Sequence, residues 1–145
     1  MYKTVVVGTD GSPTADDAVQ AAADLARSLG SELHIVTAFR TPRSGMGSAV
    51  GGELVDSGAG QALAEEGARA VGASAIEKFG AGIAAEAHAA QGNADEVILN
   101  AAAEVGADLI VVGSKGMRGA RRYLGSVPNS VAHGADCAVL VVKTA

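Results

Sequence analysis

The sequence contains few aromatic residues: no tryptophan, two tyrosines and two phenylalanines. A folded core must therefore be aliphatic, and recognition of a ligand base would rest on backbone groups and aliphatic side chains rather than on stacking. The single cysteine excludes an internal disulfide and a metal site built from cysteines. The formal net charge of −5 lacks the basic excess that general nucleic-acid binding requires.

The sequence also has no apolar stretch long enough to span a bilayer and no signal-peptide layout at its start. We therefore predict a cytoplasmic protein that binds neither a membrane nor nucleic acid. The hydrophobic fraction of 48% is high enough for a sizeable core, which argues against a disordered chain. A length of 145 residues predicts a single domain over residues 1–145.

The signatures of several enzyme classes are missing. There is no Gly-Lys-Ser or Gly-Lys-Thr of a Walker-type phosphate loop and no G-x-S-x-G nucleophile elbow. Residues 80–85 match the dinucleotide pattern G-x-G-x-x-A, but they precede a strand signal instead of opening a helix. The histidines His34, His88 and His133 are scattered without metal-ligand spacing, and we interpret each as structural.

Strand and helix signals alternate along the chain. Five strands separated by four helices favour an α/β fold, in which a parallel sheet carries helices on both faces. Ser12 and Asn93 are predicted helix N-caps, and Gly30 is a predicted C-cap. Residues 40–60, rich in glycine and serine, are predicted to form a loop or flap. The predicted strands are residues 4–7, 32–39, 83–89, 109–112 and 138–142, and the predicted helices are residues 13–29, 59–79, 94–105 and 127–134.

Ligands of such sheets bind outside the carboxyl ends of the strands, where the strand order reverses. We expect the first strand and the strand at residues 109–112 to flank that point. Asp10 follows the first strand. Its carboxylate either accepts hydrogen bonds from a ribose hydroxyl or approaches a metal ion, or it organises the turn through bonds to its own backbone.

A glycine-rich segment, residues 113–126, lies between a strand signal and a helix signal. Its backbone N–H groups and the following helix N-terminus favour phosphate binding, although an ordinary glycine-rich connection is the alternative. Arg118 lies in this segment with Lys115, Arg121 and Arg122, so the segment is basic within an acidic protein. These side chains either neutralise phosphates or form a solvated loop.

The last predicted strand, Ala138–Val142, lies three residues from the end of the sequence. If it forms an edge of the sheet, its free hydrogen-bonding groups favour pairing with a second copy in a twofold homodimer. The alternative is an edge covered by the chain itself.

Taken together, several segments resemble the universal stress protein family over almost the whole chain. The resemblance implies a Rossmann-like, five-stranded parallel sheet of order 3-2-1-4-5, of the adenine-nucleotide α-hydrolase-like kind, and a dimer. For the nucleotide-binding branch of the family it also implies an ATP site, with Mg²⁺ as a companion of the phosphates. The segments that carry the resemblance are residues 2–12, 31–39, 106–113, 125–131 and 137–142.

That branch carries the pattern G-x-x-G, nine residues, then G-[S/T]. This sequence has eight residues between the second and third glycine, which shortens the loop by one. By resemblance, Asp10 would hold the ribose, and Gly8, Thr9 and Ala38 would line the adenine and ribose side. The phosphates would be held, or their loop supported, by Gly113, Gly116, Gly125, Ser126 and Val127. The candidate cofactor-binding set also includes Val112 and Arg118.

We therefore predict a dimeric adenine-nucleotide-binding protein of the stress response, with ATP as its ligand. No residue set supplies a positioned nucleophile and base, so any ATP hydrolysis would be slow. Three alternatives stay open: a ligand that is AMP or cyclic AMP (cAMP), a nucleotide-free protein that acts through protein partners, and an enzyme that adenylates substrates. The chain looks too short to hold a second substrate domain for the last of these.

Overall fold

The computed structural model describes residues 1–41, 57–114 and 126–144. These residues form a five-stranded sheet of order β3-β2-β1-β4-β5, in which every neighbouring pair is parallel. The strands are β1 Thr4–Gly8, β2 Glu32–Phe39, β3 Ala85–Gln91, β4 Leu109–Gly113 and β5 Ala138–Val142. The helices are α1 Pro13–Leu29, α2 Ser57–Phe79, α3 Ala94–Val105 and α4 Ser126–Gly134. The predicted α/β class and strand order are confirmed.

The central strands β1 and β4 are buried on both faces. The valines Val5, Val6 and Val7 have no exposed surface, and Val5 and Val6 pair in register with Leu109 and Ile110. Continuous β-branched and aliphatic runs of this kind are typical of parallel strands that helices cover on both sides. The two runs therefore place β1 and β4 side by side at the centre of the sheet.

Helices cover both faces of the sheet, and each face has its own aliphatic core. On one face, α1 and α2 pack on the strands. Most of the α1 side chains that contact the sheet are alanines. On the other face, α3 and α4 pack through Val97, Ile98 and Val131 against Val6 and Val36. The expected aliphatic core is present in the described residues, and the small alanines let α1 approach the strands closely.

The ends of α1 follow the predicted capping. The Ser12 hydroxyl accepts a hydrogen bond from the Ala15 N–H at 3.2 Å, Pro13 begins the helix, and Gly30 closes it with φ of 71°. Asn93 occupies the predicted N-cap position of α3, but its side chain makes no capping hydrogen bond. The guanidinium of Arg40 donates to Asn93 Oδ1 at 2.6 Å, and this charged donor takes the amide oxygen away from the helix.

Two predicted boundaries need correction. Helix α2 begins at Ser57, so residues 57–60 of the predicted loop are helical, while residues 42–56 lie outside the described part of the chain. Strand β3 covers Ala85–Gln91 rather than residues 83–89. The reason is the turn before it: Arg27 Nη2 donates to the carbonyls of Phe79 and Ala81, and Gly82 has φ of 80°. This turn also confirms that residues 80–85 do not open a helix.

His34 and His88 are far apart in the sequence but lie side by side in the fold, which their sequence spacing does not reveal. Strands β2 and β3 are neighbours, and Val36 pairs with His88 in their register. The His34 Nδ1 atom therefore lies 2.8 Å from His88 Nε2, although 54 residues separate the two histidines in sequence. His133 lies apart from this pair, exposed near the end of α4.

Among the described residues, no helix is both long enough and apolar enough to cross a bilayer.

Candidate functional site

A cleft opens at the carboxyl ends of the strands, where β1 connects through α1 to β2 on one side and lies next to β4 on the other. This is the reversal point at which open parallel sheets bind ligands. The cleft holds about 660 Å³ of space, part of it open to solvent. Its lining residues are Gly8, Thr9, Asp10, Thr14, Ala15, Ala18, Val36, Ala38, Ala94, Ile98, Val112, Gly113, Val127 and Thr144.

A second opening adjoins the cleft and shares Ala38, Ala94 and Val127 with it. It extends toward Arg40 and Asp95 on the side of β2 and α3. The shared residues make the two openings continuous along the carboxyl edge of the sheet.

The turn after β1 is held by one backbone hydrogen bond and two hydrogen bonds to side chains. The Thr9 N–H donates to the Val36 carbonyl at 3.0 Å, and the Thr9 hydroxyl accepts from the Gly11 N–H at 3.0 Å. Asp10 Oδ1 accepts from the Ser12 N–H at 2.9 Å. Gly11 has φ of 85°, a conformation that glycine adopts without a steric penalty. Asp10 therefore organises its own turn, as one interpretation of the sequence expects.

The same bonds fix the Asp10 carboxylate at the rim of the cleft. Asp10 is exposed, and its Oδ2 accepts no hydrogen bond from any residue that the structure describes. Within the described lining of the cleft, Asp10 is the only residue with a titratable side chain. Turn formation and ligand contact are thus compatible, because each uses a different carboxylate oxygen.

Three helices begin at the cleft. The first turn of α1 contributes Thr14 and Ala15, α3 contributes Ala94, and α4 contributes Val127. Helix N-termini carry unsatisfied N–H groups and a partial positive charge, so their convergence favours an anion.

The three helices differ in the number of acidic residues that their first turns carry. Helix α1 has Asp16, which accepts from Lys78 Nζ at 3.0 Å, and α3 has Asp95 and Glu96. Helix α4 has no acidic residue in its first turn. Nearby carboxylates offset the helix dipole, and α4 is the helix of the three whose first turn carries no such carboxylate.

Two of the predicted glycines have packing reasons for being glycine. A Cβ on Gly8 would lie 2.5 Å from Ile98 Cδ1, and a Cβ on Gly113 would lie 3.2 Å from Thr144 Cγ2. The absent side chains allow α3 and the C-terminal tail to close around the strand ends. Ligand binding is therefore not needed to explain these glycines, although the close packing also shapes the cleft.

The structure brings most of the predicted site residues together. The side chain of Ser126, the first residue of α4, lies outside the described atoms, and Gly116, Arg118 and Gly125 lie outside the described residues. The predicted residues that line the cleft are Gly8, Thr9, Asp10, Ala38, Val112, Gly113 and Val127.

Sequence reasoning missed seven of the fourteen described lining residues: Thr14, Ala15, Ala18, Val36, Ala94, Ile98 and Thr144. Ile98 follows Ala94 by one helical turn, so helical periodicity from the start of α3 points to it. Thr144 lies beyond the last strand, and no local signal marks it. Its N–H donates to Ser114 Oγ at 3.1 Å, while the Ser114 N–H donates to the Val142 carbonyl, and these bonds hold the tail at the cleft.

The sequence pattern of the universal stress protein family matches residues 1–143. The chain belongs to the universal stress protein family. It is 35% identical over 154 aligned residues to the universal stress protein Rv1636 of Mycobacterium tuberculosis, an alignment that covers 99% of this chain and 97% of that protein. The family assignment, which rests on sequence, is therefore consistent with the parallel sheet that the structure shows.

Solved structures of the family share the fold. A universal stress protein crystallised in complex with cAMP is 33% identical, with a TM-score of 0.72 and coverage of 99% of this chain and 98% of that one. The universal stress protein from Archaeoglobus fulgidus in complex with dAMP is 26% identical, with a TM-score of 0.66 and coverage of 98% of each chain. Both of these relatives were thus crystallised with an adenine nucleotide.

Proposed function

We propose that this chain binds an adenine nucleotide, ATP, in the cleft and acts as a homodimeric, cytoplasmic stress-response protein. The observation that carries the proposal is the convergence of three helix N-termini and one exposed carboxylate on a cleft at the strand-order reversal. The relatives in complex with cAMP and dAMP support the adenine nucleotide class.

The chemistry of the lining suggests an orientation for the nucleotide. Asp10 Oδ2 would accept from a ribose hydroxyl, because its partner oxygen is occupied by the turn. Small aliphatic residues, Val36 and Ala38, would pack on the adenine. The phosphates would lie at the N-terminus of α4, near Gly113 and Val127, where no acidic side chain of that helix repels them.

The remaining predicted residues belong to the proposal through the sequence pattern. Gly116 and Gly125 would let the loop backbone approach the phosphates, Ser126 would add a hydroxyl, and Arg118 would neutralise charge. A Mg²⁺ ion would take most of its ligands from phosphate oxygens and water. Asp10 is the carboxylate in the described lining that could reach such an ion.

We propose binding rather than rapid catalysis. Among the described lining residues, Asp10 is the one with a titratable side chain. Nucleophilic catalysis needs two groups, a nucleophile and a neighbouring base that activates it. Any ATP hydrolysis would therefore depend on water and a bound divalent ion and would be slow. ATP turnover by the purified chain at about 1 per second or faster, the range of ordinary enzymes, would contradict this part of the proposal.

A cyclic or monophosphate nucleotide is the second candidate ligand. The relative in complex with cAMP is 33% identical to this chain, and the loop between Gly116 and Gly125 is one residue shorter than the ATP-type pattern. A shorter loop would reduce the number of N–H groups available to a triphosphate. Parallel titrations with ATP, AMP and cAMP would rank the three ligands.

The test of the site uses two matched charge deletions. Asp10→Ala removes the proposed ribose acceptor, and an interaction of a hydroxyl with a charged acceptor is worth about 1.5–3 kcal/mol, so affinity should fall roughly 10–100-fold. Asp17→Ala removes the same charge from an exposed position on α1 that does not line the cleft, and its affinity should be unchanged. Equal affinity of wild type and Asp10→Ala, by titration calorimetry, would contradict the proposed role.

Asp10→Asn separates the two functions of this residue. An asparagine oxygen can still accept from the Ser12 N–H, so the turn should be retained while the charge is lost. If only the turn matters, this variant should bind nucleotide like wild type. If the carboxylate holds the ribose, it should bind more weakly than wild type.

The proposed homodimer would use β5, which forms an edge of the sheet. Leu140 and Val141 of this strand are 39% and 37% exposed. An edge strand with exposed apolar side chains favours pairing with a strand of another chain. Leu140→Arg should shift the mass measured by light scattering from dimer to monomer. Leu63→Arg, at a leucine that is 69% exposed on α2, is the control and should leave the mass unchanged. A wild-type monomer would contradict the dimer.

A further inference from the structure

Strands β2 and β3 bring four metal-binding or carboxylate side chains to one face of the sheet. In their register His34 pairs with Glu86, and Val36 pairs with His88. Because side chains alternate along a strand, Glu32 and His34 share one face of β2, and Glu86 and His88 share the same face of β3. This arrangement, the β2–β3 histidine cluster, consists of Glu32, His34, Glu86 and His88.

The ligand atoms of the cluster already lie close together. His34 Nδ1 is 2.8 Å from His88 Nε2 and 3.7 Å from Glu86 Oε1. The ligand atoms of these three residues all lie within 4.8 Å of one another. Two imidazoles and a carboxylate are the donor set of many three-residue zinc sites.

The fourth residue orients the buried histidine. His34 Nε2 is 2.7 Å from Glu32 Oε1, so the Nε2–H donates to that carboxylate. The Nδ1 lone pair of His34 then faces His88 Nε2, whose N–H donates to it in the metal-free protein. A metal ion bound by both nitrogens would replace this proton, and His88 would carry its hydrogen on Nδ1 instead. A metal-bound histidine usually gives its second N–H to a carboxylate in this way, which fixes the ring and makes it a better ligand.

We propose that His34 Nδ1, His88 Nε2 and the Glu86 carboxylate bind a divalent transition-metal ion of the Zn²⁺ class, with Glu32 as the positioning residue of His34. Imidazole nitrogen favours Zn²⁺, Co²⁺ and similar ions over Mg²⁺, which prefers oxygen ligands. Three protein ligands leave the fourth tetrahedral position for water or for a group from outside the chain.

The geometry needs only a small adjustment to accept the ion. Zn–N bonds of about 2.0–2.1 Å at a tetrahedral angle place the two nitrogens about 3.3–3.4 Å apart, roughly half an ångström farther than here. The His34 side chain is only 7% exposed and is the fixed ligand. Glu86 is 68% exposed and His88 is partly buried, both on the edge strand β3, so these two ligands can move.

The cluster is separate from the cleft. Its four residues do not line the cleft, and His34 lies four residues before Ala38 along β2, a distance of about 13 Å at the usual rise of a strand. The inference therefore does not rest on nucleotide binding. The competing explanation is a hydrogen-bond network that stabilises the sheet without a metal.

The experiment uses the full chain after treatment with a chelator. Co²⁺ and Zn²⁺ are titrated separately. Co²⁺ binding is followed through the visible d–d absorption of the tetrahedral ion, and Zn²⁺ binding through competition against a chromophoric chelator. Wild type should bind one ion per chain, and its Co²⁺ complex should show the absorption spectrum of a tetrahedral site with nitrogen ligands. Glu86→Gln and His88→Ala should each weaken binding by tenfold or more, and Glu32→Gln by about 10–100-fold. His133→Ala, which removes an exposed histidine outside the cluster, should bind like wild type.

Circular dichroism and melting curves on the same samples identify variants that fail to fold. Glu86→Gln changes a largely exposed side chain, so it keeps the test valid if a histidine variant unfolds. Absence of a tetrahedral Co²⁺ spectrum, or metal binding that survives both Glu86→Gln and His88→Ala, would overturn the proposal. Loss of thermal stability in those variants without any metal binding by wild type would favour the purely structural network.

Discussion

Replacing Gly8 with alanine should destabilise the protein through close contact with the side chain of Ile98. Gly8 does not have a positive φ, so alanine fits the backbone and gains about 0.4–1 kcal/mol from a less flexible unfolded chain. The new Cβ, however, would lie 2.5 Å from Ile98 Cδ1, and Ile98 is buried. Overpacking in a filled core costs about 1–3 kcal/mol, so the net loss of unfolding free energy should be about 1–2 kcal/mol.

A double-mutant cycle identifies the contact responsible. Ile98→Val removes Cδ1 and alone should cost about 0.5–1.5 kcal/mol. In that background Gly8→Ala should cost less than in wild type, because the contact with Cδ1 is gone while the tight contact at the Cγ1 position, 3.1 Å in wild type, remains. This gives a coupling energy of up to about 1 kcal/mol in urea denaturation. Gly67→Ala is the control, because a Cβ added there would meet open space among the described residues and alanine favours a helix. Strict additivity of Gly8→Ala and Ile98→Val would refute the reasoning.

Three further predictions concern a carboxylate, a hydroxyl and the ligand. The Lys3 N–H donates to Asp108 at 3.0 Å and, with the Thr4 N–H, holds the pKa of that carboxyl below its ordinary value of 3.8. The stability that these two hydrogen bonds supply is present above the unfolded pKa and is lost as the pH falls through the folded pKa. Because water screens this partly exposed carboxyl, Asp108→Asn should cost only about 0.5 kcal/mol of unfolding free energy at neutral pH, and it should match wild type in acid melts. Thr37 Oγ1 is buried without a hydrogen-bond partner among the described residues, so Thr37→Val should be as stable as wild type or up to about 1 kcal/mol more stable in urea; a large loss would contradict this. With no aromatic side chain in the described lining of the cleft, ATP and GTP should differ less than about tenfold in affinity by calorimetry, and a hundredfold preference would contradict that account.

The local parts of the fold could be predicted because their causes are local. Uninterrupted aliphatic runs mark the doubly buried strands β1 and β4, and Ser12 and Gly30 mark the ends of α1 through chemistry within a few residues. Strand β3 is harder to delimit, because its alternating alanines give a weak pattern and a turn held by Arg27 sets its start.

The features that sequence reasoning missed depend on contacts between distant segments. Arg40 takes the Asn93 side chain away from its helix across 53 residues of sequence. The bond from its N–H to Ser114 Oγ holds Thr144 at the cleft, and the register of β2 and β3 brings His34 to His88. Pairwise geometry of this kind is set by the assembled sheet and has no signature within one segment.

The most direct test of nucleotide binding in the cleft is a titration of isotope-labelled protein with ATP, followed through backbone amide chemical shifts. The account predicts that the amides of Asp10, Ala38, Gly113 and Val127 shift together as the cleft fills, with saturation at one nucleotide per chain. The amide of Glu86, which lies on the edge strand β3 and does not line the cleft, should keep its chemical shift. No shifts at saturating ATP, or shifts confined to residues outside the cleft, would contradict the account.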